Sequence, residues 1–185
     1  MVHTSRPAAS PFQFSARDIV RRPGAQRLVS ETFPAPAVLG TDVIGVPVGT
    51  DVTLDLSFES VQEGIWVSGT VNATATGECG RCLDEVRQDV AAPLQGLFEY
   101  PDVRRDDEDE TSEDVFEFDG ESLDLEELVR DAVVTNLPFT PLCGPDCPGL
   151  CDQCGARLAD DPDHTHEVLD PRWSALQSLI DEKES

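Results

Sequence analysis

Long apolar runs are missing from this 185-residue sequence, which nowhere approaches the roughly 20 consecutive apolar residues that a membrane helix needs. The first ten residues lack the continuous apolar block of a secretory signal, so a cytoplasmic protein with no membrane partner is expected. Cations are scarce too. Lys and Arg number 13 against 37 Asp and Glu, a formal charge of −24. The imbalance is local: residues 1–40 hold five Arg against Asp18 and Glu31, which leaves −27 for residues 41–185. Such a field repels phosphate backbones, because nucleic-acid affinity depends mainly on Lys and Arg displacing counterions. Extensive direct RNA or DNA binding is therefore disfavoured, and a basic protein partner suits the charge better.

Catalytic signatures are absent as well. There is no P-loop, no dinucleotide fingerprint and no nucleophile-elbow serine. The carboxylates come in runs, which reads as solvation, not as paired acid and base. A non-enzymatic chain without a small-molecule substrate is the expectation.

What is present suffices for one ordinary domain with a small appendage, since hydrophobic residues make up 39% of the chain and can build a modest core. Residues 1–10 read as a disordered terminus, residues 11–142 as an α+β core, and residues 143–182 as a cysteine-rich segment with a final helix. Phe12 and Phe14 alternate with polar neighbours and open a short strand. A second strand is expected from Arg27 to Phe33, followed by a link punctuated by Pro34, Pro36, Gly40 and Gly45. Val52, Leu54, Leu56 and Phe58 then repeat every two residues, as do Ile65, Val67, Gly69, Val71 and Ala73, predicting an antiparallel hairpin over residues 51–75. Val86–Val90 and Leu94–Tyr100 predict one or two more strands, with Pro93 at a bulge or edge. Residues 104–115 fall in a solvated acidic loop, after which Val115, Phe116 and Phe118 offer a short strand.

Two helices are expected. Leu125, Leu128, Val129, Ala132, Val133 and Leu137 share one helical face, with Asp124 and Glu127 spaced as a capping box and Pro138 as the stop. Asp170-Pro171 opens the second, with Trp173, Leu176, Leu179 and Ile180 as its apolar stripe. The predicted architecture is an antiparallel sheet or partial barrel with these two helices and a small zinc-knuckle-like segment.

The six cysteines carry the chemistry. In a chain without a secretory signal they suggest metal or redox chemistry before disulfides. Cys143, Cys147, Cys151 and Cys154 lie within twelve residues, and His164 and His166 follow. Thiolate and imidazole are the ligands tetrahedral zinc prefers, and two Cys separated by two residues can grip one ion from a tight turn. A polar loop of this kind cannot fold by apolar burial, so a structural zinc held by four of these six residues is expected. Cys151 and Cys154 form the best pair. Cys79 and Cys82, joined by Gly80 and Arg81, are an alternative pair that could complete a split site. A thioredoxin-like role fits them poorly, because that chemistry places the first thiol at a helix N-terminus, whereas this pair links strand-like segments.

In order, the chain presents Cys79-x-Arg81-Cys82-Leu83, an acidic loop and a helix ending in Leu137-Pro138. Leu142-Cys143, Cys147-Pro148-Gly149-Leu150-Cys151, Cys154-Gly155-Ala156-x-Leu158 and Asp170-Pro171-Arg172 follow. The series resembles the bacterial and plastid family of the large ribosomal RNA subunit accumulation protein YceD, in an actinobacterial-type member, over roughly residues 12–180. The resemblance implies a non-enzymatic role in accumulation or maturation of 23S rRNA and the large ribosomal subunit. It also implies a large-subunit ribosomal protein or pre-ribosomal particle as partner, because members are often encoded beside a small, basic ribosomal protein. His164 and His166 stand roughly where many members carry further cysteines, an exchange that keeps zinc competence. Other members lack the C-terminal cysteines yet keep the Cys-x-Arg-Cys turn, which points to Arg81, Cys79 and Cys82 as partner-binding residues. The competing reading is a zinc-stabilised protein-interaction or transcription-associated module unrelated to ribosomes.

Overall fold

The computed structural model of the chain describes residues 10–102 and 115–166. Most of the predicted acidic loop and the predicted helix beginning at Asp170 lie outside the described residues. Among the described residues there is one helix, where the sequence predicted two. The chain divides into two units, a larger one of residues 1–80 and 84–143 and a smaller one of residues 81–83 and 144–185.

The larger unit is an α+β structure around a curled, mostly antiparallel sheet. Strands β1 (Gln13–Ser15), β2 (Gln26–Pro34), β3 (Leu39–Gly40), β4 (Ile44–Val46), β5 (Asp51–Ser60), β6 (Gly64–Glu78), β7 (Glu85–Glu99), β8 (Val115–Glu117) and β9 (Ser122–Asp124) precede helix α1 (Glu126–Asn136). The two-residue periodicity of β5 places Val52, Leu54, Leu56 and Phe58 inward, all nearly or fully buried. β6 pairs with β5 from Val52–Ala73 to Ser60–Ile65, the predicted hairpin, and β2 adds to the far edge of β5. β4 continues along β6 beyond the end of β5 and pairs with β3. These two short strands occupy the stretch that its prolines and glycines marked as a link. One close approach in the sheet is at Gly69, where a Cβ would stand 2.1 Å from the Asp55 carbonyl oxygen. Glycine inside a strand is the mark of such backbone contact.

β7 runs unbroken through Pro93, which pairs with Thr70 of β6. β8 covers the opposite edge of β7 only at Leu97–Glu99 and runs parallel to it. Pro93 thus sits where β7 has a free edge among the described residues, the place a residue without an N–H can occupy.

The inner face of the sheet is closed by the β1–β9 pair and by α1. Leu128, Val129, Ala132 and Val133 of α1 are buried, and Gly96 of β7 leaves space for Leu128 and the Phe116 ring. Asp124 accepts the Glu126 N–H at 3.0 Å, so the residue expected to cap the helix does serve its first turn. Phe14 packs on Phe58 with ring centroids 5.7 Å apart, and Phe98 stacks on Phe116 at 5.1 Å. Tyr100 accepts the Arg21 N–H at 2.9 Å and lies 3.3 Å from the hydroxyl of buried Ser60.

Candidate metal centre

Among the described residues, the smaller unit contributes none to the contiguous hydrophobic core. Every member of the contiguous hydrophobic core lies between Phe12 and Leu137 in the larger unit. What orders residues 144–166 locally is a set of backbone hydrogen bonds around two left-handed glycines. Gly149, with φ 83°, ends the Cys147-Pro148 stretch, and Gly155, with φ 72°, follows Cys154. Glycine adopts this conformation without the steric cost a Cβ brings. Leu150 and Arg157 then form an isolated antiparallel bridge. Cys151 donates to the Ala156 carbonyl at 2.8 Å, and Gly155 donates back to the Cys151 carbonyl at 2.9 Å. The result is a knuckle with Cys151 and Cys154 at its tip.

His164 and His166 come to the same place. The Nε2 atoms of His164 and His166 lie 3.3 and 3.2 Å from the Cys154 sulfur, and 2.9 Å from each other. The ligand atoms of Cys151, Cys154, His164 and His166 all fall within 4.8 Å of one another. Zn–S and Zn–N bonds of about 2.3 and 2.0 Å put neighbouring ligand atoms of a tetrahedron roughly 3.3–3.8 Å apart. The four donors are therefore close to the separations that one ion would impose, and two sulfurs with two imidazole nitrogens are a set that zinc takes.

Two further features suit a cation. The Cys151 thiol is pulled down to about 6 from its ordinary 9.0, first by the Gln153 backbone N–H and then by that of Cys154. Thiolate, not thiol, is the metal-binding form. Asp161 has a carboxylate oxygen 3.6 Å from His164 Nδ1, on the side that leaves Nε2 to face the sulfurs. A carboxylate behind a ligating imidazole is the usual orienting arrangement. Sequence reasoning missed Asp161, although its three-residue spacing from His164 was a usable signal.

The other cysteines are placed differently from a single Cys143–Cys154 knuckle. In the larger unit Cys79, just past β6, donates its N–H to the Asp84 carbonyl at 2.8 Å. Its sulfur lies within 4.8 Å of that of Cys143. In the smaller unit the Cys82 and Cys147 sulfurs lie within the same distance, and both residues are buried. The Cys79–Cys82 turn leads into strand β7, not into a helix.

Arg81 belongs to the smaller unit, where its side chain is engaged. Its Nη1 donates to the Cys147 carbonyl at 2.9 Å, and its own carbonyl accepts the Leu150 N–H at 3.1 Å. Gly149 lies against it, with the site of a Cβ only 3.2 Å from the Arg81 carbonyl oxygen. Leu83, two residues on, is 61% exposed and holds a left-handed φ of 64°, an uncommon conformation for a leucine.

No helix among the described residues is long and apolar enough to cross a membrane. The family described as large ribosomal RNA subunit accumulation protein YceD matches residues 67–180, a span that includes all six cysteines and both histidines of the knuckle. An uncharacterized protein of Mycobacterium tuberculosis (strain ATCC 25618 / H37Rv) is 46% identical over 175 residues, covering 95% of this chain and 84% of its own length. An uncharacterized protein of Mycobacterium bovis shows the same figures. An uncharacterized protein of Mycobacterium leprae is 39% identical over 179 residues, covering 97% of this chain and 82% of its own. No solved structure matches the chain.

Proposed function

Because this chain belongs to the family of the large ribosomal RNA subunit accumulation protein YceD, we propose that it supports accumulation and maturation of 23S rRNA and the large ribosomal subunit. The family match carries this reading, and the mycobacterial relatives extend the likeness over nearly the whole chain. The factor acts in the cytoplasm without catalysing a reaction. Its contribution is to hold a basic partner, a large-subunit ribosomal protein or a pre-ribosomal particle that displays one. The net charge of −24 supports a protein contact over a grip on RNA phosphates.

Zinc is the metal we assign, in a structural role. Cys151, Cys154, His164 and His166 hold one ion, and the bound ion supplies folding free energy to a knuckle whose described residues include none of the hydrophobic core.

The ribosomal role is tested by depleting the protein in its own host and resolving ribosomal particles on a gradient. Large subunits and 23S rRNA are expected to fall relative to small subunits. Unchanged levels would discard the reading. The Cys2His2 knuckle would then favour the second one, a zinc-stabilised protein-interaction module unrelated to ribosomes.

A further inference from the structure

We propose that the outward face of the sheet formed by β2, β5, β6 and β7 is the docking surface for an arginine-rich segment of a protein partner. This rests on the proposed basic partner and adds where it binds and through which side chains.

Strand alternation makes the face. On β5 the even residues go to the core, and Asp51, Thr53, Asp55, Ser57 and Glu59 point the other way. The register carries this across the sheet, so Asp55 stands beside Ser30 of β2 and Thr70 of β6, and Thr70 beside Pro93 of β7. The β1–β9 pair and α1 pack on the opposite face, where Phe14 meets Phe58 and Leu128 lies at Gly96. Within the larger unit no described element packs on the outward face. Its Leu28 is 77% exposed, and Asp55, Glu59 and Asp89 are exposed beside it. An open sheet half is normally polar, but this one is polar with a large excess of negative charge.

Asp51, Asp55, Glu59, Glu78, Glu85, Asp89 and Glu99 are its carboxylates. The one cation on these outward positions is Arg87, and it is tied to Glu85 at 2.6 Å. Arg27 of β2 turns inward over the Phe58 ring, 5.0 Å from its centroid, and pairs with Asp18. Neutral groups, not cations, hold the central carboxylates. Ser30 donates to Asp55 at 2.6 Å and Asn72 at 3.3 Å, and Thr74 donates to Asp89 at 3.1 Å. These donors fix the carboxylates in place and leave their charge unneutralised.

The face also carries an apolar band. Trp66 of β6 lies in register between Glu59 of β5 and Leu97 of β7, and it is half-buried with part of its surface in solvent. An indole beside a carboxylate suits guanidinium, which stacks on aromatic surfaces and bonds carboxylates in a bidentate fork. Lysine would satisfy the charge but make less of the indole. A nucleic-acid strand would find the aromatic surface but meet carboxylates where it needs cations.

The test measures binding of a short arginine-rich peptide to the full-length, metal-loaded protein at moderate salt. Asp55→Asn, Glu59→Gln and Asp89→Asn together remove three charges from the face but keep side-chain shape and an acceptor oxygen. Asp42→Asn, Asp131→Asn and Asp160→Asn remove as many charges elsewhere. The face variant is expected to weaken binding about tenfold or more, and the control about twofold or less. Trp66→Leu, with charge unchanged, is expected to weaken it severalfold. Equal losses in the face and control variants would reduce the effect to net charge and overturn the proposal. So would a Trp66→Leu protein that binds like wild type, or a single-stranded RNA oligonucleotide that binds the wild-type chain more tightly than the peptide. The ribosomal reading falls separately: if depletion leaves large subunits unchanged, that role is lost whatever the peptide does. If depletion lowers them and the face variant restores them fully, only the docking face is lost.

Discussion

Asp119 shows how much a single exposed carboxylate does at the turn between β8 and β9. Its two oxygens accept the Glu121 and Ser122 N–H groups at 2.7 Å each and the Ser122 hydroxyl at 2.8 Å. Ser122 then pairs with Ser15, so the turn sets the register of β9 on β1. The same bonds hold the Asp119 carboxyl below its ordinary 3.8, the Ser122 N–H contributing most and the Glu121 N–H next. A depressed carboxylate adds stability that is complete above its unfolded pKa and lost as pH falls through the folded value. Asp119→Ala is therefore expected to cost about 1 kcal/mol at neutral pH. In urea melts compared across pH, the gap to wild type should close only below about pH 4, and a gap that stays constant to pH 2 would contradict this assignment. The candidate ligands of the knuckle were legible at this scale as residue types, because clustered thiols and imidazoles are the usual donors of a structural zinc site. Their grouping was not. Cys147 is four residues from both Cys143 and Cys151, so spacing alone leaves its neighbour open, and folding puts its sulfur beside that of Cys82.

Elements with a strict two-residue period were legible to within a few residues, because burial of one face leaves a strand little choice of register. The hairpin of β5 and β6 is such a case. β3 and β4 were not, since two- and three-residue strands carry too few side chains to show a period. β7 combined both situations. Its alternation continues through Pro93, but a proline reads as an interruption until the neighbouring edge is known to be free. Gly69 was visible as an apolar-phase position of β6, while its reason is visible only in space. A methyl group there would meet the Asp55 carbonyl oxygen at 2.1 Å and the Leu56 Cα at 2.9 Å. Both are backbone atoms, so β5 itself must move. Gly69→Ala is expected to destabilise the larger unit by about 2 kcal/mol or more, as overpacking does, read as a lower urea midpoint with an unchanged slope. A midpoint equal to wild type would mean that the two strands can part at no cost.

The whole molecule divides its stability between two sources. The larger unit holds the hydrophobic core, from Phe12 through Val133 to Leu137, and folds by burial. The smaller unit, among its described residues, adds none to that core and gathers Cys151, Cys154, His164 and His166 within ligand distance. The composition made this division legible in outline, because the cysteine-rich segment is too polar to collapse alone. Protein purified without added metal is expected to carry tightly held zinc, and Cys151→Ser with Cys154→Ser to carry one ion fewer per chain. Removing zinc with a strong chelator should then separate the two sources. Hydrogen exchange and proteolysis are expected to open residues 144–166. The far-ultraviolet signal of the sheet and its cooperative melt should persist, since their apolar contacts need no ion. Loss of the sheet on chelation would show that the metal holds the larger unit too. Unchanged protection of residues 144–166 would show that the knuckle stands on its backbone hydrogen bonds without an ion.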